Sequence, residues 1–313
     1  MYKELLEGIF EKNEIQGETE MASYLESLRP AAIELWESYR PGKTRFGAYK
    51  RVRTDYSYRE IQEVYLLRYF LGYTDPLSDV LNNLRDNGIA PPISTCANAV
   101  LFGSGPMPEL CAITGYLHDH FRKVETLNIP TVDIAGDEWE YSRSIVLDKI
   151  ERPYWNPRSL HVENVVVSIA DSESMANLDL RECDIAVVQN CFNEVATTHR
   201  SSALVNLINA FARMKPGAIG VIIDRQGYPP TDEMMKKAFA IAKDIPHLQS
   251  VSDDCDYFES AISMDYWLTE VPPLIARNLF YRQGDRRFRS FDPRLTLAET
   301  IRYQWMAFQV QAQ

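Results

Sequence analysis

The sequence predicts an α/β protein in which a mostly parallel sheet with an antiparallel edge follows an all-helical N-terminal segment. Three observations carry this reading. From Glu4 to about Asn87, apolar residues such as Leu5, Ile9 and Phe10, then Leu25, Leu28 and Leu35, then Ile61, Val64, Leu67 and Leu71 recur at helical spacing. Beyond Gly88 to Ser94, where Pro91 and Pro92 break any helix, short β-branched runs alternate with helical patterns, as parallel strands joined by crossovers do. The first of those runs ends in Gly103-Ser104-Gly105-Pro106-Met107-Pro108, a glycine turn leading into a helix.

In chain order, the predicted strands are residues 99–102, 126–133, 162–168, 185–189 and 219–223, with helical patterns over 109–121, 138–149 and 201–214. The last stretch reads as antiparallel edge strands over 258–268, 279–281 and 302–310, interrupted by Pro272 and Pro273. Two domains are expected: residues 1–90 as a helical lid or substrate domain, and 91–313 as the sheet domain.

Composition narrows the possible partners. With 313 residues, 45% of them hydrophobic, the chain is long enough for a substantial core. Its 44 acidic against 33 basic residues give a net charge of −11, which argues against a nucleic-acid backbone as partner; Arg286, Arg287 and Arg289 are the only short arginine cluster. Cys96, Cys111, Cys183, Cys191 and Cys255 form no CxxC pair, so a reducing cytoplasm is expected, with neither a zinc site nor a disulfide framework. Met1-Tyr2-Lys3-Glu4-Leu5-Leu6 has no basic-then-apolar leader pattern, and no apolar run approaches roughly 18 residues, so no membrane span is expected.

Ligands of an open parallel sheet bind beyond the carboxyl ends of the strands, near the point where strand order reverses. Gly103, Ser104 and Gly105 follow the first strand, where glycines permit positive φ and close backbone approach. Asp133 ends the second, where a carboxylate can accept from two ribose hydroxyls; Asp137 competes for that role, and either acid can instead cap the next helix. Asp171 and Ser172 follow the third and can address an adenine amino group. Gln189-Asn190-Cys191-Phe192-Asn193-Glu194 follows the fourth, its polar residues either lining the site or capping a helix. Met214-Lys215-Pro216-Gly217 turns into the fifth strand, and Asp224-Arg225 comes after it; Arg225 can grip a carboxylate or pair with Asp224.

In these residues the chain resembles the class I S-adenosylmethionine-dependent methyltransferases: GxG after the first strand, an acid ending the second, and the Lys215-Pro216-Gly217 turn, in order over roughly residues 98–224. The resemblance implies a Rossmann-like, seven-stranded sheet with S-adenosylmethionine in its crevice. It places Gly103 and Gly105 at the methionine part, Asp133 on the ribose, Asp171 at the adenine edge and Asn190 on the floor near the sulfonium; Ser104, Ser172 and Gln189 are further cofactor-binding candidates. A third glycine is common in that family where this chain has Met107. More narrowly, Gly103 to Pro108 resembles the "GSGPLP" of nicotianamine synthases, which transfer the aminocarboxypropyl arm of S-adenosylmethionine. Phe46-Gly47-Ala48-Tyr49 and Gln62-Glu63-Val64-Tyr65-Leu66-Leu67-Arg68-Tyr69 are similar to an aromatic loop and a helical run in those enzymes. Azetidine-2-carboxylate synthases, which cyclise S-adenosylmethionine, are a third relative by resemblance.

The expected function is thus S-adenosylmethionine-dependent transfer to a small molecule, with methyl transfer to an amine or hydroxyl as the default. Attack on the aminocarboxypropyl arm, releasing methylthioadenosine, is the alternative, and a non-catalytic assembly factor is the second. Asn190, Glu194 and Tyr58 are candidates to orient an acceptor; Glu63 is either a catalytic group, on the arm-transfer comparison, or a solvated helix residue. Tyr49, Tyr56, Tyr65 and Arg225 are the substrate-binding candidates. Nine of the 17 tyrosines lie in the first 73 residues. Their π-faces suit a cation, at about 0.5–2 kcal/mol per contact, although packing between helices needs the same rings. His118-Asp119-His120 reads as a helix end opposing the dipole, so no metal is expected.

Overall fold

The computed structural model describes residues 1–39, 54–251, 257–281 and 292–312. Among these, eight strands form one sheet: β1 (Cys96–Phe102), β2 (Thr126–Val132), β3 (Ser159–Val165), β4 (Ile185–Gln189), β5 (Ile219–Arg225), β6 (Leu248–Ser250), β7 (Phe258–Ser263) and β8 (Thr300–Val310). Their order is β3-β2-β1-β4-β5-β8-β6, with β7 also paired to β8. The first five strands pair in parallel, in the 3-2-1-4-5 order of doubly wound nucleotide-binding sheets. β8 runs antiparallel to β5 and, on its other side, to β6. The antiparallel strand expected at the edge therefore lies inside it, because the short β6 covers its far side.

Burial follows position in the sheet. All five residues of β4 are buried, as in a parallel strand covered on both faces, whereas β3, at the end of the order, alternates. Phe102, Val188, Phe192, Phe211, Ile222 and Phe308 belong to one apolar cluster. The strands begin or end within a few residues of the predicted spans, β3 being the most displaced. The stretch 258–268 is strand only in its first half and then turns into the helix Asp265–Glu270; of 279–281, only Tyr281 makes a bridge, to Thr296. A helix at Pro229–Lys243 adds to those predicted: its tandem prolines occupy the first turn, and Met234, Met235, Ala238, Phe239 and Ala242 are buried at helical spacing.

The chain divides into two compact units. The sheet unit comprises Thr74–Asp137, Trp155–Ser260 and Arg302–Gln313; the helical unit comprises Met1–Tyr73, Glu138–Tyr154 and Ala261–Ile301. Within the helical unit, the helix Glu140–Val146 packs against the first helix, Tyr2–Lys12. A side chain at Gly8 would stand 2.6 Å from the Ile145 Cγ2, and Lys149 pairs with Glu7 and Glu11. Among the described residues, no helix is long and apolar enough to cross a membrane.

Candidate functional site

Strand order in the sheet unit reverses between β1 and β4, so the segments leaving these two strands flank the switch point. After β1, Gly103 (φ +64°) donates its N–H to the Val132 carbonyl at 2.8 Å, and Gly105 (φ +47°) donates to the Asp133 Oδ2 at 3.0 Å. The turn closes through the Met107 N–H to the Ser104 carbonyl, 2.7 Å, and the helix Pro108–His120 follows. Met107 itself is left-handed, at φ +65°. At the position where the resembled family carries a third glycine, the backbone thus keeps a glycine-like conformation at a cost of about 1–2 kcal/mol.

Asp133 directly follows β2 and is buried. Its Oδ1 accepts the Ala135 N–H at 2.8 Å while its Oδ2 holds Gly105, which ties the two turns together. Each carboxylate oxygen keeps a further lone pair for a ligand donor. The competing Asp137 accepts the Asn164 side-chain amide at 2.9 Å. Beside Asp133, Ile134 is 71% exposed, and Val166, just past the neighbouring β3, is 48% exposed. Two exposed aliphatic side chains at adjacent strand ends suit the flat face of a heterocycle. Ile134 lies just beyond the predicted second strand, whereas Val166 falls within the span predicted for the third and outside the observed β3.

The turn after β4 approaches the glycine turn closely. A Cβ at Gly103 would sit 2.7 Å from the Cys191 Cβ, so Gly103→Ala combines this overlap with a left-handed backbone. That substitution is expected to lower stability by about 2–4 kcal/mol, read as a fall in thermal midpoint. Asn190 is left-handed, at φ +54°, with its N–H on the Ile223 carbonyl at 2.9 Å, and the Glu194 N–H reaches the Cys191 carbonyl at 3.1 Å. Gln189 and Asn193 are buried beside it. Burial pushes the Cys191 thiol well above its ordinary value, and Asp224, Glu194, Asp133 and Glu109 push it further.

Asp171 is exposed and caps the helix Ser172–Asn177, accepting the Ser174 hydroxyl at 2.6 Å and the Glu173 N–H at 3.2 Å; these bonds, led by Ser174, hold its carboxyl below the usual range. Ser172 is exposed at the start of that helix, and Arg225 is exposed at the end of β5. His120 lies 3.0 Å from the Asn82 Oδ1, and among the described residues no His, Cys, Asp or Glu group is arranged to hold a metal.

The helical unit holds the other candidates. Glu63 is fully buried on the helix Arg59–Tyr65, which corrects its reading as a solvated residue. Its Oε1 accepts from the Asn13 amide at 2.7 Å and from the Tyr141 hydroxyl, and its Oε2 from the Tyr24 hydroxyl at 2.7 Å. Burial raises its pKa against the pull of these three donors. None of the three was legible as a partner, being 50, 78 and 39 residues away in sequence. Tyr65 is buried among rings, 5.3 Å from Trp139 and 5.6 Å from Tyr69; Tyr56 lies 4.3 Å from Trp139, with its hydroxyl on that of Tyr39 at 2.8 Å. Tyr58 is exposed at the start of the same helix, and Tyr49 falls outside the described residues.

No protein-family model and no curated protein matches the chain. It is similar in structure to a protein of Methanococcus maripaludis assigned as an S-adenosyl-L-methionine-dependent methyltransferase: 13% identity, 85% of this chain, 99% of that one, TM-score 0.36. It is likewise similar to a 16S rRNA (adenine(1408)-N(1))-methyltransferase of Catenulisporales acidiphilia, solved with its cosubstrate, at 13% identity, 76% and 92% coverage and a TM-score of 0.40. A third, an S-adenosylmethionine-dependent methyltransferase of Clostridium acetobutylicum, shows 10% identity, 61% coverage of each chain and a TM-score of 0.32. With all three TM-scores below 0.5, the functional reading rests on the chain's own geometry.

Proposed function

We propose that the protein is an S-adenosylmethionine-dependent transferase acting on a small molecule, with methyl transfer to an amine or hydroxyl as its reaction. The observation that carries this is the use of the Gly105 N–H. In phosphate-binding turns such an amide faces the anion, whereas here it is taken by the buried Asp133 carboxylate. A pyrophosphate would meet like charge at that place. A ligand with a diol for Asp133 and a cationic centre meets complementary charge instead. When bound, S-adenosylmethionine supplies a carbon made electrophilic by its sulfonium.

In this reading, Gly103, Ser104 and Gly105 lie against the amino-acid part, Asp133 binds the ribose, Ile134 covers one face of the base, and Asp171 and Ser172 address its edge. Gln189 and Asn190 form the floor, and Asn190 and Glu194 orient the acceptor, with catalysis arising mainly from positioning and exclusion of water. The net charge of −11 supports a small acceptor over a phosphate backbone. The second reading, attack on the aminocarboxypropyl arm, rests on the resemblance of Gly103 to Pro108 and of Gln62 to Tyr69 to the arm-transferring enzymes.

Incubation with S-adenosylmethionine followed by chromatography separates the two. S-adenosylhomocysteine is expected in the presence of an acceptor. Methylthioadenosine above the spontaneous background, formed without any acceptor, would replace methyl transfer by arm chemistry. Absence of calorimetric binding of S-adenosylmethionine or either by-product would leave the assembly-factor reading.

A further inference from the structure

Backbone bonds and the Asp224 carboxylate hold the turn after β4. The Asn190 N–H reaches the Ile223 carbonyl, and two residues further on the Phe192 N–H reaches the Asp224 Oδ2 at 3.0 Å. The other oxygen of Asp224 accepts the Arg225 N–H at 2.7 Å. Asp224 is 1% exposed, and the Phe192 ring is fully buried, so neither end of this contact is loosened by water. Between the two anchors sits Cys191, whose Cβ occupies the space beside Gly103. The height of Cys191, and with it the fit of the two turns, is therefore set by the Asp224 carboxylate.

We infer that Asp224 is a positioning residue: it holds the Asn190–Glu194 turn against the glycine turn through the Phe192 N–H, and holds it most firmly while its carboxyl is protonated. The groups around it are Arg225 beside it, Asp232 on the helix Pro229–Lys243, Cys191 on the turn, and Gln304 opposite it on β8, whose amide donates to Asp232 at 2.9 Å. Burial lifts the Asp224 carboxyl to about 7, against the pull of its two N–H bonds. Opening the turn returns the carboxyl to water and to its ordinary, lower pKa, so the closed turn binds the proton more tightly than the open one. The hold thus weakens as pH rises toward neutrality and levels off above it.

Amide hydrogen exchange of the full chain without ligand, followed by mass spectrometry of peptides covering residues 189–196, tests this directly. Protection in the wild type is expected to fall about tenfold from pH 6 to pH 8, after correction for the intrinsic pH dependence of exchange; such a factor is what a buried acid titrating near neutrality loses over that range. In Asp224→Asn the amide offers one acceptor and sets a donor against the other N–H, so protection should be lower than in the wild type at pH 6 and flat with pH. An unchanged wild-type profile, or the same fall in Asp224→Asn, overturns the inference. The wild-type titration decides even where the variant does not fold.

The link from this hold to ligand binding rests on the proposed function and has its own readout. The Kd of S-adenosylhomocysteine is expected to rise about tenfold from pH 6 to pH 8 in the wild type and to stay level in Asp224→Asn. Absence of binding at every pH, with the exchange result intact, refutes the ligand and leaves the positioning role standing.

Discussion

Asp133→Ala is expected to weaken binding of S-adenosylhomocysteine at least about 100-fold in calorimetry. In the proposed complex the carboxylate accepts both ribose hydroxyls, and hydrogen bonds to a charged group are worth about 1.5–3 kcal/mol each, so losing two exceeds the 2.7 kcal/mol or so of a 100-fold change. The same carboxylate holds the Gly105 and Ala135 N–H groups in a buried position. Its removal leaves two donors short of partners and frees the glycine turn from the turn after β2. The thermal midpoint should therefore fall as well, by several degrees for about 2 kcal/mol. Asp133→Asn, which keeps one acceptor, should lie between. Asp137→Ala is the control, because that acid is already engaged by Asn164. Near wild-type affinity in Asp133→Ala, with loss in Asp137→Ala, would transfer the ribose to Asp137.

The parts of this site that could be read from sequence are those the backbone dictates. Glycines at 103 and 105 announce left-handed turns, an acid at the end of an apolar run announces a strand terminus, and alternation of strands with helices fixes parallel order. Met107 shows the limit of that logic: it adopts the left-handed conformation without being glycine, held by the Ser104 carbonyl on one side and the helix Pro108–His120 on the other. The interior place of β8 was equally hidden. Its antiparallel direction suggested an edge, but only pairing on both sides fixes position, and the three-residue β6 has no periodicity of its own. The burial of Glu63 was hidden for a further reason. Burial of a carboxylate depends on which distant residues bring donors to it, and those of Glu63 come from Asn13, Tyr24 and Tyr141, far apart in sequence.

Glu63 is where stability and function can be separated. Truncation to alanine takes the acceptor from Tyr24, Tyr141 and Asn13 together, and the expected loss is about 3–5 kcal/mol, or roughly 10 °C in thermal midpoint. Glu63→Gln keeps the shape, and the tyrosine hydroxyls can turn to suit the amide, so its loss should be about 1 kcal/mol. The pH dependence then has a definite sign. Burial raises the folded-state pKa of Glu63 above its unfolded value, so its contribution is complete below the ordinary glutamate pKa and is lost as pH rises through the folded one. The neutral Gln has no such loss. Its stability relative to wild type should improve from pH 4 to pH 8, measured as the difference in thermal midpoint between the two proteins. If the difference is level or runs the other way, Glu63 is ionised in the fold at no net cost, and its three donors outweigh its burial. Turnover completes the comparison: a well-folded Glu63→Gln that binds S-adenosylhomocysteine normally but no longer forms product assigns the carboxylate to proton transfer. Retained turnover assigns it to holding together the helices that carry Asn13, Tyr24 and Tyr141.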